Sequence, residues 1–77
     1  MPETSVEELA RTARTAIRAL AEGGDPASFQ ELLSLSEEVG VGIGVAARAI
    51  AETGSWSQVA TYAGTTKQAA WARWRSD

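Results

Sequence analysis

Few side chains in this 77-residue sequence can react or bind ions, and their types exclude most enzyme chemistry. There is no cysteine and no histidine, so zinc sites, thiol nucleophiles and the usual imidazole base are excluded. Two pairs of adjacent glutamates, Glu7-Glu8 and Glu37-Glu38, lie on predicted helices, where neighbouring side chains diverge and do not form an acid/base pair. We therefore expect no catalytic site, no metal and no cofactor, and we predict that the protein is not an enzyme.

The charged residues are unevenly distributed along the chain. Residues 1–54 carry four basic and nine acidic side chains, whereas residues 55–77 carry three basic and one acidic, for a net charge of −3. Nonspecific affinity for a polyanion comes from neutralised phosphates, so the acidic total argues against a protein that binds polyanions with its whole surface. Lys67, Arg73 and Arg75 still allow one local surface near the C-terminus to do so.

The chain is short for a stable monomer. Of its 34 hydrophobic residues 15 are alanine, which leaves 19 larger apolar side chains for a core. A domain of this length buries only roughly 60% of its unfolded surface, and small scaffolds usually need a disulfide, a metal or a partner chain. Because cysteine and histidine are absent, we expect a single domain that forms an oligomer.

No secretory signal is recognisable at the N-terminus, where neither a basic segment nor an apolar run occurs. The longest apolar stretch, residues 39–51, contains Arg48 and is too short to span a bilayer. We therefore expect a cytoplasmic protein without a membrane partner. The sequence indicates no pocket, so no small-molecule ligand is inferred.

The N-terminal segment has the pattern of an amphipathic helix. Thr4 or Ser5 can cap it, and Gly23-Gly24 gives a clear signal for its end. One apolar stripe recurs at spacings of three and four residues: Val6, Leu9, Ala13, Ile17 and Leu20. A charged row lies on the other side: Glu7, Arg11, Arg14 and Arg18. It is interpreted as a solvated face, with a phosphate-contacting strip as the alternative.

A central helix is predicted from about residue 27 to 53. Asp25 and Pro26 are typical of a cap and a first helical position. Apolar positions then follow in unbroken heptad-like phase: Phe29, Leu32, Ser36 (the exception in type), Val39, Ile43, Ala46 and Ile50. This phase favours one helix through Gly40, Gly42 and Gly44, although a break near Gly40 remains the alternative. Gly40 and Gly44 share a face where another helix can approach closely, unless they mark a loop.

The segment from Ser55 onward predicts two short helices joined by a glycine turn. Ser55 caps the first helix, with Val59, Ala60 and Ala63 on its inner face; Gly64 supplies the turn; Thr66 caps a second helix that runs from Lys67 to Arg75. Two such helices form a helix-turn-helix unit. Trp56 and Trp74 are interpreted as core residues, whereas Trp71 suits either packing or contact with nucleic acid.

Residues 55–74 carry a recognisable motif, S-W-x-x-V-A-x-x-x-G-x-T-K-Q-A-A-x-x-R-W. It resembles the helix-turn-helix segment of small bacterial DNA-binding regulators, over about 20 of the 77 residues. The sequence departs from the pattern at Ala63 and Thr65, where such proteins usually carry leucine and valine. Both changes remove apolar volume from the inner face, so we expect a loosely packed unit.

The resemblance implies that the second helix enters the major groove and presents its early residues to base edges. Lys67 lies at the helix start, which favours a phosphate, and the Gln68 amide can bond adenine N6 and N7 together. Ala69 or Ala72 can touch a thymine methyl group, and Arg75 can bind a guanine or a phosphate. The predicted contact residues are Thr66, Lys67, Gln68, Ala69, Trp71, Ala72 and Arg75.

The sequence thus predicts an all-α domain of four helices, or five if the central helix breaks. Its predicted function is that of a sequence-specific binder of double-stranded DNA, a homodimeric transcriptional regulator. Residues 1–54 would form the dimerisation and support region, and the two segments 55–77 would contact half-sites about 34 Å apart. The alternative is a protein–protein interaction module, an adaptor or antitoxin-like partner, that has a helix-turn-helix shape and does not bind DNA.

Overall fold

The computed structural model describes residues 5–76, and its regular secondary structure consists of four α-helices. These are α1 (Val6–Gly23), α2 (Pro26–Thr53), α3 (Trp56–Ala63) and α4 (Lys67–Trp74). The predicted all-α class with four helices is confirmed. Within residues 5–76, none of the helices combines the length and the apolar character that crossing a membrane requires.

Helix α1 begins and ends where local sequence chemistry predicts. Ser5 is the N-cap, and its hydroxyl accepts a hydrogen bond from the backbone N–H of Glu8 at 3.0 Å. Thr4, the other candidate cap, lies outside the described residues. At the other end Gly24 adopts a φ of 65°, a left-handed conformation that glycine adopts without a steric penalty.

Helix α2 is continuous over 28 residues, which confirms the favoured single helix, and the alternative break near Gly40 does not occur. It starts at Pro26, and the Asp25 carboxylate accepts a hydrogen bond from the backbone N–H of Ser28 at 3.2 Å. Hydrogen bonds from the Ser28 side chain and backbone lower the pKa of Asp25 below its usual value. The ionised carboxylate is therefore the form that caps the helix.

The chain divides into two compact units, with the boundary inside α2 between Ser36 and Glu37. The first unit contains α1, its glycine turn and the start of α2, and none of its described residues, 5–36, is buried. The second unit contains the rest of α2 with α3 and α4. All the buried side chains of the described chain lie in this second unit.

The core of the second unit is made mostly of small residues. Its buried hydrophobic members are Ala47, Val59, Ala60 and Ala70, with Ile50, Ala51, Trp56 and Trp74 packed around them. The predicted core positions of Trp56 and Trp74 are thus confirmed. In α2 the buried residues are Gly44 and Ala47, while Val39 and Ile43 of the predicted apolar stripe are exposed. Ile50 of the same stripe packs against the core, so within the second unit the stripe meets the core at its C-terminal end.

Candidate nucleic-acid interface

Helices α3 and α4 are each positioned by a side-chain cap. The Ser55 hydroxyl accepts from the Gln58 backbone N–H at 3.1 Å, and the Gln58 side chain accepts from the Ser55 N–H at 3.2 Å. This reciprocal capping box satisfies two N–H groups that the first turn of α3 leaves without helical partners. At α4 the Thr66 hydroxyl accepts from the Ala69 N–H at 3.1 Å. Both predicted caps, Ser55 and Thr66, are confirmed.

The turn between α3 and α4 depends on Gly64. Its φ is 69°, and the following residue, Thr65, donates its N–H to the carbonyl of Ala60 at 3.0 Å. A side chain at this φ would carry a steric cost, which glycine avoids. Ala63 was predicted on the inner face of α3 but is exposed, because α3 ends at this residue and the chain turns away at Gly64.

The two helices pack against each other through alanines. Ala60 of α3 is 5% exposed and Ala70 of α4 is fully buried, so the closest approach is made where side chains are smallest. Trp74, one helical turn after Ala70, is half-buried against the same core. At 100° per residue Ala70 and Trp74 share one face of α4, and the structure places both of them against the core.

The seven predicted contact residues are all exposed: Thr66, Lys67, Gln68, Ala69, Trp71, Ala72 and Arg75. At 100° per residue Gln68, Ala72 and Arg75 point away from Ala70, and their exposure agrees with this geometry. Between Thr66 and Arg75 only Ala70 is buried and Trp74 half-buried, so α4 is open to solvent on the sides away from the core.

Trp71 and Arg75 form a pair on the open face of α4. The guanidinium carbon of Arg75 lies 4.6 Å from the centroid of the Trp71 ring, a cation–π distance. Stacking on the ring limits the motion of the arginine but leaves its N–H groups available to phosphate or guanine acceptors. Trp71, 47% exposed, thus supports a neighbouring cation in addition to any packing role. Arg73 similarly lies over Trp74, at 5.2 Å.

Arg48 of α2 fixes the end of α4, a role that the sequence analysis missed. One guanidinium nitrogen, Nη1, donates to the carbonyl oxygens of Trp74 and Ser76, at 3.1 Å each. The last carbonyls of a helix lack helical donors, and a cation there also interacts favourably with the helix dipole. The only sequence signal was a single charged residue inside the apolar stretch 39–51.

Gly44 makes room for this arginine. A Cβ atom built at Gly44 would lie 3.2 Å from Nη1 of Arg48, whereas a Cβ at Gly40 would meet nothing within 4 Å. The expected joint surface of Gly40 and Gly44 for another helix is therefore wrong for Gly44, because the side chain of Arg48 from the same helix covers it. Gly40 remains exposed.

Comparisons of the chain with protein-family models, with curated proteins and with solved structures found no match. The case for a function therefore depends on the geometry and charge of α3 and α4 alone.

Proposed function

We propose that this protein is a cytoplasmic, sequence-specific DNA-binding protein that acts as a homodimeric transcriptional regulator. In this proposal α3 and α4 form a helix-turn-helix, and the helix from Thr66 to Arg75 lies in the major groove. The observation that carries the proposal is the arrangement of α4: one face is sealed against the core at Ala70, and the seven predicted contact residues are exposed. The same fold can have many unrelated functions, so the function is assigned from these side chains.

The distribution of charge also supports α4 as the DNA-binding surface. Residues 55–76 carry three cations, Lys67, Arg73 and Arg75, and no acidic side chain, although the whole chain is acidic. Each phosphate neutralised by a cation releases condensed counterions and thus adds affinity. Three cations give one α3–α4 unit weak affinity, and the two copies in a dimer double the number of phosphate contacts. The dimer is therefore part of the proposal.

Sequence selectivity is assigned to Gln68 near the start of α4. Its exposed amide has a donor and an acceptor, which can bond the N7 and N6 groups of one adenine together. Gln68→Ala should weaken binding by about 1–3 kcal/mol, roughly 5- to 150-fold, for each half-site, and leave nonspecific binding nearly unchanged. Gln30→Ala, the same change at an exposed glutamine of α2, is the matched control and should bind like the native chain.

Phosphate contact is assigned to Lys67, the one lysine in the sequence. Lys67→Ala should weaken binding to all duplexes alike and flatten the salt dependence of log K by about one unit per subunit, about two for the dimer. Arg11→Ala removes the same charge from α1 and should leave that slope unchanged. If Lys67→Ala and Arg11→Ala had the same salt dependence of log K, the assignment of the phosphate contact to α4 would be contradicted. A change in this salt dependence for Arg11→Ala alone would support the alternative, a phosphate-contacting strip on α1.

The test of the whole proposal is selection from a random duplex library at a stated ionic strength. A winning sequence with two-fold symmetry would support both the DNA-binding activity and the dimer. Binding without sequence preference, or none at low salt, would contradict the proposal.

A second candidate function is a protein–protein interaction module that does not bind DNA. It is favoured by the exposed apolar side chains of the first unit, including Val6, Leu9 and Phe29, together with the acidic balance of residues 1–54. If this function is correct, the library selection fails, and Gln68→Ala and Lys67→Ala have no effect on the partner protein bound through α1.

A further inference from the structure

The first unit carries an apolar surface that is exposed among the described residues, 5–76. Along α1, Val6 is 81% exposed, Leu9 59% and Ile17 39%. At the end of α1 the surface continues into a hollow of about 390 Å³, whose lining includes Leu20, Phe29 and Leu32. An isolated helix of this length has marginal stability in water, so the stripe is expected to need a partner.

The stripe on α1 is symmetric about Ala13. At 100° per residue its other members lie within about 40° of the direction of Ala13: Leu9 and Ile17 on either side, and Val6 and Leu20 closer to the centre line. The larger side chains of the stripe lie towards both ends of α1, and the smallest, Ala13, lies in the middle. Two copies of such a helix can therefore approach closely at the midpoint, where their Ala13 side chains meet.

We propose that a second copy of this chain covers the stripe, with the two α1 helices packed antiparallel about a two-fold axis beside Ala13. In this arrangement Leu9 lies opposite the partner's Ile17, and Val6 lies opposite the partner's Leu20. Val6, the most exposed apolar residue of α1, then enters the hollow that the partner's Leu20 and Phe29 line. The inference deepens the homodimer of the proposed function and does not depend on DNA binding.

The hollow favours the antiparallel direction. It lies near the C-terminal end of α1, where Leu20 lines it, whereas Val6 lies at the N-terminal end. A reversed copy brings Val6 level with the partner's Leu20 and hence with the partner's hollow. In a parallel pair Val6 would face its own copy, and neither hollow would receive it.

The exposed apolar area of the first unit is large enough to form much of a dimer interface. If a fully exposed aliphatic side chain contributes about 100 Å² and phenylalanine about 200 Å², the exposed fractions of Val6, Leu9, Ile17 and Phe29 amount to roughly 300 Å² per copy. A standard interface buries about 800 Å² per partner, of which somewhat more than half is apolar. These four side chains therefore supply more than half of the apolar part, and the alanines beside them add to it.

Disulfide trapping tests the direction and register, because the native chain has no cysteine and a disulfide forms only where Cα atoms come within about 7 Å. Four variants are oxidised without DNA: Ala13→Cys, Val6→Cys, the double variant Val6→Cys/Leu20→Cys, and Arg11→Cys as the control on the far side of α1. We expect most of the Ala13→Cys protein and of the double variant to become covalent dimer, while Val6→Cys and Arg11→Cys remain uncrosslinked.

The other outcomes each overturn the proposal. Crosslinking of Val6→Cys as complete as that of Ala13→Cys would show a parallel pair. A native dimer in sedimentation without crosslinks at these positions would place the interface elsewhere. A native mass of 8.1 kDa at all concentrations would remove the dimer altogether, whereas the effect of Gln68→Ala on DNA would still test the groove assignment separately.

A charge placed at the midpoint provides a non-covalent test. Ala13→Glu should reduce the mass in sedimentation from that of a dimer to 8.1 kDa. Thr15→Glu, an exposed position on the far side of α1, adds the same charge and should leave the dimer intact. Helix content measured by circular dichroism checks that α1 remains folded in both variants. An Ala13→Glu variant that remains dimeric would overturn the proposal.

Discussion

Replacing Arg48 by methionine should loosen the end of α4. Methionine keeps most of the aliphatic stem but removes the guanidinium that donates to the carbonyls of Trp74 and Ser76, at 3.1 Å each. A hydrogen bond from a charged donor contributes about 1.5–3 kcal/mol where it is shielded from water. The hydrogen bond to Trp74 is partly buried and the one to Ser76 is exposed. We therefore expect the first to contribute close to this amount and the second much less.

The expected loss is about 2 kcal/mol, which for a chain of this length lowers Tm by roughly 8–16 °C. Thermal unfolding followed by circular dichroism measures it. Arg11→Met is the matched control, because it makes the same chemical change at an exposed residue of α1 and should stay within about 0.5 kcal/mol of the native chain.

Hydrogen exchange locates the effect. The amide of Arg75, which donates to the Trp71 carbonyl at 2.9 Å, should exchange faster in Arg48→Met, while the first turn of α3 should not change. A Tm for Arg48→Met equal to that of Arg11→Met would refute the reasoning that this side chain holds α4 in place.

Three further predictions concern other parts of the fold. Ala70→Leu should destabilise the protein by about 1–3 kcal/mol, since Ala70 is fully buried between helices; a variant as stable as the native chain in urea would contradict the close packing of α3 and α4. Gly64→Ala should lower the free energy of unfolding by about 1–2 kcal/mol, because residue 64 has a φ of 69°. Gly40→Ala, at an exposed helical position, should stabilise α2 slightly. Equal effects of the two variants in thermal unfolding would rule out strain at the turn. Acidification should fray the start of α2: the pKa of Asp25 is lowered in the folded protein, so its stabilising effect is complete above the unfolded value and is lost as the pH falls through the folded pKa. A lower protection factor of the Ser28 amide at low pH, taken relative to the intrinsic exchange rate at the same pH, measures this. Asp25→Asn should remove the pH dependence of the protection factor, and an unchanged protection factor in the native chain would contradict the prediction.

The parts of the fold that depend on neighbouring residues were predictable from the sequence. The caps at Ser5, Ser55 and Thr66 and the ends of helices at Gly24 and Gly64 involve partners within a few positions, so residue types at fixed spacing are sufficient. The same holds for the buried side of α4, where Ala70 and Trp74 follow from helical periodicity alone.

The contacts between distant residues were not predictable in this way. Arg48 bonds a carbonyl 26 residues away, and no spacing rule gives that distance, since it depends on where α2, α3 and α4 meet. The same ambiguity affected α2, where a large apolar stripe and a row of small residues both follow helical spacing. The structure buries Gly44 and Ala47 and packs Ile50 against the core, whereas Val39 and Ile43 are exposed.

The contact between Gly44 and Arg48 links two positions that one helical turn separates. A larger residue at position 44 would displace the guanidinium from the carbonyls of Trp74 and Ser76, whereas a shorter residue at position 48 would leave space that a larger neighbour could fill. Natural variants of this sequence are thus expected to change at both positions together or at neither. Paired substitution libraries would reveal this as epistasis: many double replacements should be tolerated although their single replacements are not.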